Sequence, residues 1–84
     1  MPRFMDVHLA VDLGMTPEQC DMLHQKDLAV QDKHGVRFLK YWYDPLTGRA
    51  FCLSEAPNRE AVLATHAEAH GLLADEIFEV FEGE

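Results

Sequence analysis

The chain lacks most of the short signatures that announce an enzyme. It has no glycine-rich phosphate loop, no serine nucleophile elbow and no His-Glu-x-x-His helix, which argues against the nucleotide-binding, serine-hydrolase and zinc-protease chemistries those patterns serve. Cysteine is scarce: only Cys20 and Cys52 occur, far apart and without Cys-x-x-Cys spacing, whereas a stapled secreted scaffold carries more. Basic residues are few, 7 against 15 acidic ones, for a formal charge of −8. That balance argues against nucleic acid and anionic membrane as partners, since both are held through Lys and Arg. No apolar run approaches the roughly 18 residues that a bilayer requires. Met1-Pro2-Arg3 leads directly into an Asp- and His-bearing segment with no apolar leader, so a cytoplasmic, reduced protein is expected.

What is present is a foldable chain. Its 84 residues, 48% hydrophobic, make one domain, 1–84. A domain this small buries a limited share of its surface, and pairing with a second copy is a common remedy. From Arg3 to Val11 the sequence alternates, which predicts a strand. Met5, Val7, Leu9 and Val11 point one way, expected to be the core side. Phe4, Asp6, His8 and Ala10 point the other. Asp12-Leu13-Gly14 breaks the strand. Thr16-Pro17-Glu18-Gln19 then reads as a capping box with proline at the first helical position, opening a helix to about Lys33 that Gly35 stops.

Val36 to Tyr43 is β-branched and aromatic, a second strand. Asp44-Pro45-Leu46-Thr47-Gly48 is a turn, and Arg49 to Ser54 is its partner strand. A second helix opens at Pro57 or Asn58 and ends near Gly71; Glu76 to Phe81 is a last strand. The order predicts an α+β, ferredoxin-like β-α-β-β-α-β fold: a four-stranded antiparallel sheet with two helices on one face. The other face is then expected to carry Phe4, Asp6, His8 and Trp42 or its aromatic neighbours, a patch that self-association would cover.

Five histidines are many for so short a chain. His66 and His70 are one helical turn apart, so their rings share a face within reach of one ion. A helical wheel groups them with Val62, Leu63 and Ala69 and leaves Glu60, Thr65 and Glu68 outside that arc. The competing readings are a core histidine with a hydrogen-bond partner for His66 and a helix-dipole contact for His70. Asp6 and His8, two apart on a strand, share a side. Together they suit a metal-ligand pair, or equally a polar pair along a dimer seam. On the first helix Cys20, His24, Asp27 and Gln31 form one stripe, either an internal hydrogen-bond network or part of a site shared with Cys52 or His66. Cys52 itself reads first as buried packing, and His34 beside Gly35 as a solvated helix end.

Phe4-Met5-Asp6-Val7-His8, Phe51-Cys52-Leu53-Ser54-Glu55-Ala56-Pro57, His66, His70-Gly71-Leu72 and Ala74-Asp75-Glu76-Ile77 make the chain similar to a family of small bacterial domains that includes a nickel-binding protein of streptomycetes. The resemblance covers nearly the whole chain. It implies the same ferredoxin-like fold, a homodimer, and sequestration of a metal rather than catalysis. The expected function is therefore binding of nickel, or another divalent ion such as zinc, with Asp6, His8, His66 and His70 as the candidate ligands. Ligand imidazoles of ordinary pKa, about 6.5, would lose such an ion between roughly pH 7 and pH 5. The alternative is a small-molecule enzyme of the dimeric ferredoxin-like type, with Asp6 and His8 lining a cavity as an acid/base pair.

Overall fold

A computed structural model of the chain describes residues 1–9 and 16–83. The elements run β1 (Arg3–His8), α1 (Pro17–Val30), a 3-10 turn (Gln31–His34), β2 (Arg37–Asp44), β3 (Arg49–Glu55), α2 (Arg59–Ala69) and β4 (Glu76–Val80). The expected extension of the first strand to Val11 and its break at Asp12-Leu13-Gly14 lie outside the described residues. All pairings are antiparallel, in the order β2-β3-β1-β4, with both helices on one side. This is the ferredoxin-like arrangement that the element order predicts.

Local chemistry explains the boundaries. The Thr16 hydroxyl accepts from the Gln19 backbone at 3.2 Å while the Gln19 side chain accepts from the Thr16 backbone at 2.8 Å. The two groups thereby satisfy each other's otherwise orphaned donors at the start of α1. Gly35 closes the 3-10 turn at φ 69°, a left-handed conformation that glycine adopts without penalty. Asn58 caps α2 by accepting from the Ala61 backbone at 2.9 Å. In the β2–β3 turn the Asp44 carboxylate accepts from the Leu46 backbone and the Thr47 hydroxyl.

The sheet is oriented opposite to the sequence expectation. Phe4, Asp6 and His8 face the helices: Phe4 belongs to the core with Val36, Phe38, Ala56 and Val62, and Asp6 is bonded to His66 of α2. Met5 and Val7 lie on the outer face. Alternation identifies two sides of a strand but not which one is covered; here the larger Phe4 ring and an available partner for Asp6 decide it. Trp42 does occupy the outer face, as expected, but with Val7 and Phe51 rather than with Asp6 and His8. A register shift between Phe38 and Lys40 lets both Phe38 and Tyr41 face the helices despite their odd spacing. One wheel assignment also changes: Thr65 is fully buried, its hydroxyl donating to the Ala61 carbonyl at 2.8 Å.

Candidate metal centre

Between sheet and helices the apolar core fills one half of the layer and a polar cluster the other. Its centre is His66, 1% exposed, with a carboxylate on each ring nitrogen. Nε2 lies 2.7 Å from Asp6 Oδ2 and Nδ1 lies 2.9 Å from Asp27 Oδ1. Asp6 Oδ2 also takes His8 Nε2 at 3.0 Å, and Asp27 Oδ2 takes His70 Nε2 at 3.2 Å. The result is one chain of alternating imidazoles and carboxylates, His8–Asp6–His66–Asp27–His70, drawn from β1, α2 and α1. The His66 ring packs against Phe38 at 5.0 Å between centroids and edge-on to His8 at 5.1 Å, so its orientation is fixed by packing as well as by hydrogen bonds.

The electrostatics follow from the geometry. Burial alone would depress both imidazoles, but the carboxylates outweigh it. Asp27 and Asp6 push His66 up to about 11, and Asp6 pushes His8 up to about 9. Burial alone would raise the two carboxyls; hydrogen bonds from His66 and His8 hold Asp6 below its usual range, and those from His66 and His70 do the same for Asp27. His66 therefore carries a proton on both nitrogens. His70 is held differently: its Nδ1 accepts from the Leu72 backbone at 3.0 Å, so its proton is on Nε2, facing Asp27.

Two sets of donor atoms have metal-site composition. Asp6, His8, Cys52 and His66 each offer one atom, all within 4.8 Å of one another; Asp27, His66 and His70 do so on the other side of the ring. One carboxylate oxygen, Asp6 Oδ1, is buried and has no hydrogen-bond partner among the described residues. An unmet acceptor inside such a set is what a cation satisfies. Both sets border a cavity of about 50 Å³, whose walls include Cys20, His24 and Tyr41.

The four residues expected from sequence thus lie around one ring, though not all in one set: Asp6 and His8 are with His66, and His70 reaches it through Asp27. Cys52, read first as packing, stands opposite Asp6 in the β1–β3 register and completes the first set. The α1 stripe resolves in part into an internal network: Asp27 holds two imidazoles, and Gln31 accepts from the Phe38 backbone at 2.9 Å. His24 stacks on Tyr41 at 4.7 Å and keeps a buried Nδ1 with no hydrogen-bond partner among the described residues. His34, expected to be solvated, instead pairs with Glu68 at 2.9 Å.

Fold and cluster together define a small ferredoxin-like domain with a buried carboxylate–imidazole–thiol constellation. The model of the family described as nickel responsive protein SCO4226-like matches residues 4–80, and the chain belongs to that family. It is similar in structure to SCO4226 of Streptomyces coelicolor A3(2), known from a crystal structure, with a TM-score of 0.87 and 44% identity over 98% of this chain and 99% of that one. Comparison with curated proteins gives no match.

Proposed function

We propose that the chain binds a divalent transition-metal ion through Asp6, His8, Cys52 and His66, and that it holds the ion rather than transforming a substrate. Nickel is the ion that the family description favours. The observation that carries the reading is the convergence of four donors of three chemical types within 4.8 Å, one of them beside a buried oxygen with no partner among the described residues. Asp27 supports this use of His66: accepting from Nδ1, it holds the ring so that Nε2 faces the first set, the outer-sphere arrangement that metal-bound histidines have. His70, bonded to the same carboxylate, steadies Asp27. Imidazole and thiolate donors also suit zinc and copper, so the ion taken follows supply as well as affinity.

The cavity beside the cluster, about 50 Å³, has room for an ion with water and is below the roughly 300 Å³ at which small-molecule sites begin; a wider hollow of about 360 Å³ adjoins it along Cys20, Tyr41 and Tyr43 but is lined by none of the cluster's carboxylates or imidazoles. The same reading has the chain acting as a cytoplasmic homodimer. Unpaired Cys20 and Cys52 fit a reducing compartment. The outer sheet face, with Met5, Trp42, Phe51, Leu53 and Phe78, offers an apolar surface that a second copy would cover; Trp42 is 47% and Phe78 48% exposed.

The test is calorimetric titration of the metal-free protein with nickel and with zinc, beside His8→Ala and Cys52→Ser variants. Weakened binding in both variants supports the site. Undiminished binding in both overturns it.

A further inference from the structure

We infer that the hollow between the start of α1 and the end of β2 binds a small uncharged aromatic molecule that carries a hydroxyl group. The site is separate from the proposed ion site: none of Asp6, His8, Cys52 or His66 lines the hollow. Its walls come from a helix, a strand and a turn. Pro17, Cys20 and His24 follow one another at three- and four-residue spacing and so share one face of α1. Tyr41 and Tyr43, two apart on β2, share the side of the sheet that faces that helix. Pro45 belongs to the turn that follows β2. Pro17, Cys20, Tyr41, Tyr43 and Pro45 bound a volume of about 360 Å³, within the roughly 300–1,000 Å³ of small-molecule sites. The hollow adjoins the smaller cavity, where Ala50, opposite Tyr43 in the β2–β3 register, presents only a methyl group.

The lining selects the ligand. Two phenol rings and two pyrrolidine rings offer flat faces against which an aromatic ring packs well. None of the five wall residues is Asp, Glu, Lys or Arg, so an ion entering the hollow would lose water without gaining a charged partner. Anions are disfavoured twice over. Asp21 accepts from the Tyr41 hydroxyl at 3.2 Å, and the chain carries a formal charge of −8.

One polar group calls for a partner. His24 lines the adjoining cavity and stacks on Tyr41 at 4.7 Å between centroids. Its Nδ1 is buried and has no hydrogen-bond partner among the described residues, whereas buried polar atoms are as a rule satisfied. Nδ1 donates in one neutral tautomer and accepts in the other, and a hydroxyl group meets either need. A ring held between the tyrosines and prolines, with its hydroxyl directed at His24, therefore uses both the apolar walls and the orphaned nitrogen.

The experiment is a ¹H–¹⁵N NMR titration of the metal-free full chain with 2-naphthol, naphthalene and 2-naphthoate. His24→Phe is titrated beside it; this change keeps a ring against Tyr41 and removes the nitrogen. The expected result is saturable binding of 2-naphthol with a Kd below about 1 mM, with the largest shifts at the amides of Cys20, His24, Tyr41 and Tyr43. Naphthalene should bind about 10-fold more weakly, the effect of one lost hydrogen bond to a buried partner, and 2-naphthoate should not saturate. In His24→Phe, 2-naphthol should fall to the level of naphthalene, whose own affinity stays unchanged. Equal affinities for 2-naphthol and naphthalene in the wild type overturn the role of His24 and with it the hydroxyl class. Shifts centred on Trp42 and Phe78 place the probe on the outer sheet face and overturn the site, as does a 2-naphthol titration that never saturates. The comparison of probes needs no substitution, so it decides the matter even where His24→Phe fails to fold.

Discussion

The two faces of the sheet exchange the characters usually given to inside and outside. The side pressed against the helices carries Asp6, His8, Cys52 and Ser54 beside Phe4 and Phe38. The side away from the helices carries Met5, Trp42, Phe51, Leu53 and Phe78, with Val7 buried among them. A carboxylate and two imidazoles tolerate burial because each finds a partner of opposite charge within 3.0 Å; apolar groups are left outside where a second copy of the chain can cover them. The comparison teaches that here the interior carries the paired charges and the exterior the apolar groups, so the two faces should respond to mutation independently.

The largest expected effect is on the inner face. His66→Ala leaves Asp6 and Asp27 buried without their shared cation, a loss of about 3–5 kcal/mol for a broken buried pair. Urea unfolding of the metal-free protein should show it, and a change below about 1 kcal/mol would mean the cluster is water-screened rather than buried. Next comes the outer face. Trp42→Ala removes a half-exposed aromatic of the kind that anchors interfaces, worth about 2 kcal/mol, or roughly a 30-fold weaker dimer. Sedimentation equilibrium should report that weakening while nickel affinity per folded chain stays unchanged. His8→Ala should do the reverse, lowering nickel affinity by about 10–100-fold or more and leaving the dimer constant alone. If His8→Ala loosens the dimer, or Trp42→Ala the metal, the two faces are not separate.

The pH dependence sharpens the same contrast. His8 and His66 have folded pKa values raised to about 9 and about 11, above the roughly 6.5 of an unfolded imidazole. Their contribution to stability is therefore complete below about pH 6.5 and lost as pH rises through those values. Asp6 and Asp27 are lowered from 3.8, so their contribution is present above that value and lost as pH falls through their folded ones. The metal-free protein should melt highest at mildly acid pH and lower at pH 9–10. Nickel affinity should run the other way and still be rising at pH 9, because protons and ion compete for the same nitrogens. A plateau already reached by pH 7, as ordinary imidazoles would give, contradicts this. The smallest effect belongs to neither face: Asn58→Ala removes the cap of α2 and should cost about 1 kcal/mol in thermal unfolding, with little change in metal or dimer affinity.

Much of the fold was legible because its signals are local. Thr16-Pro17-Glu18-Gln19, Asp44 to Gly48 and the helix opening at Pro57 or Asn58 each act within a few residues, and they set the order of elements. The orientation of the sheet was not legible. Nothing within β1 says that Asp6 turns inward; the reason lies in His66, 60 positions away. Asp6, His8, His66 and His70 were found as candidates from spacing and residue type. The place of Cys52 beside them needed the register that sets it opposite Asp6, and the role of Asp27 needed the packing of α1 on α2 across 39 positions. The bulge between Phe38 and Lys40 is equally non-local in cause, since it lets both Phe38 and Tyr41 reach the helix side.

The measurement that bears most directly on the inward-facing site is nickel K-edge X-ray absorption on protein loaded with one equivalent. Of the four donors in the first set, Cys52 alone supplies sulfur. The account predicts one sulfur neighbour together with imidazole scattering, and loss of the sulfur in Cys52→Ser. A shell of nitrogen and oxygen alone, unchanged by that substitution, would contradict it and move the ion out of the buried cluster.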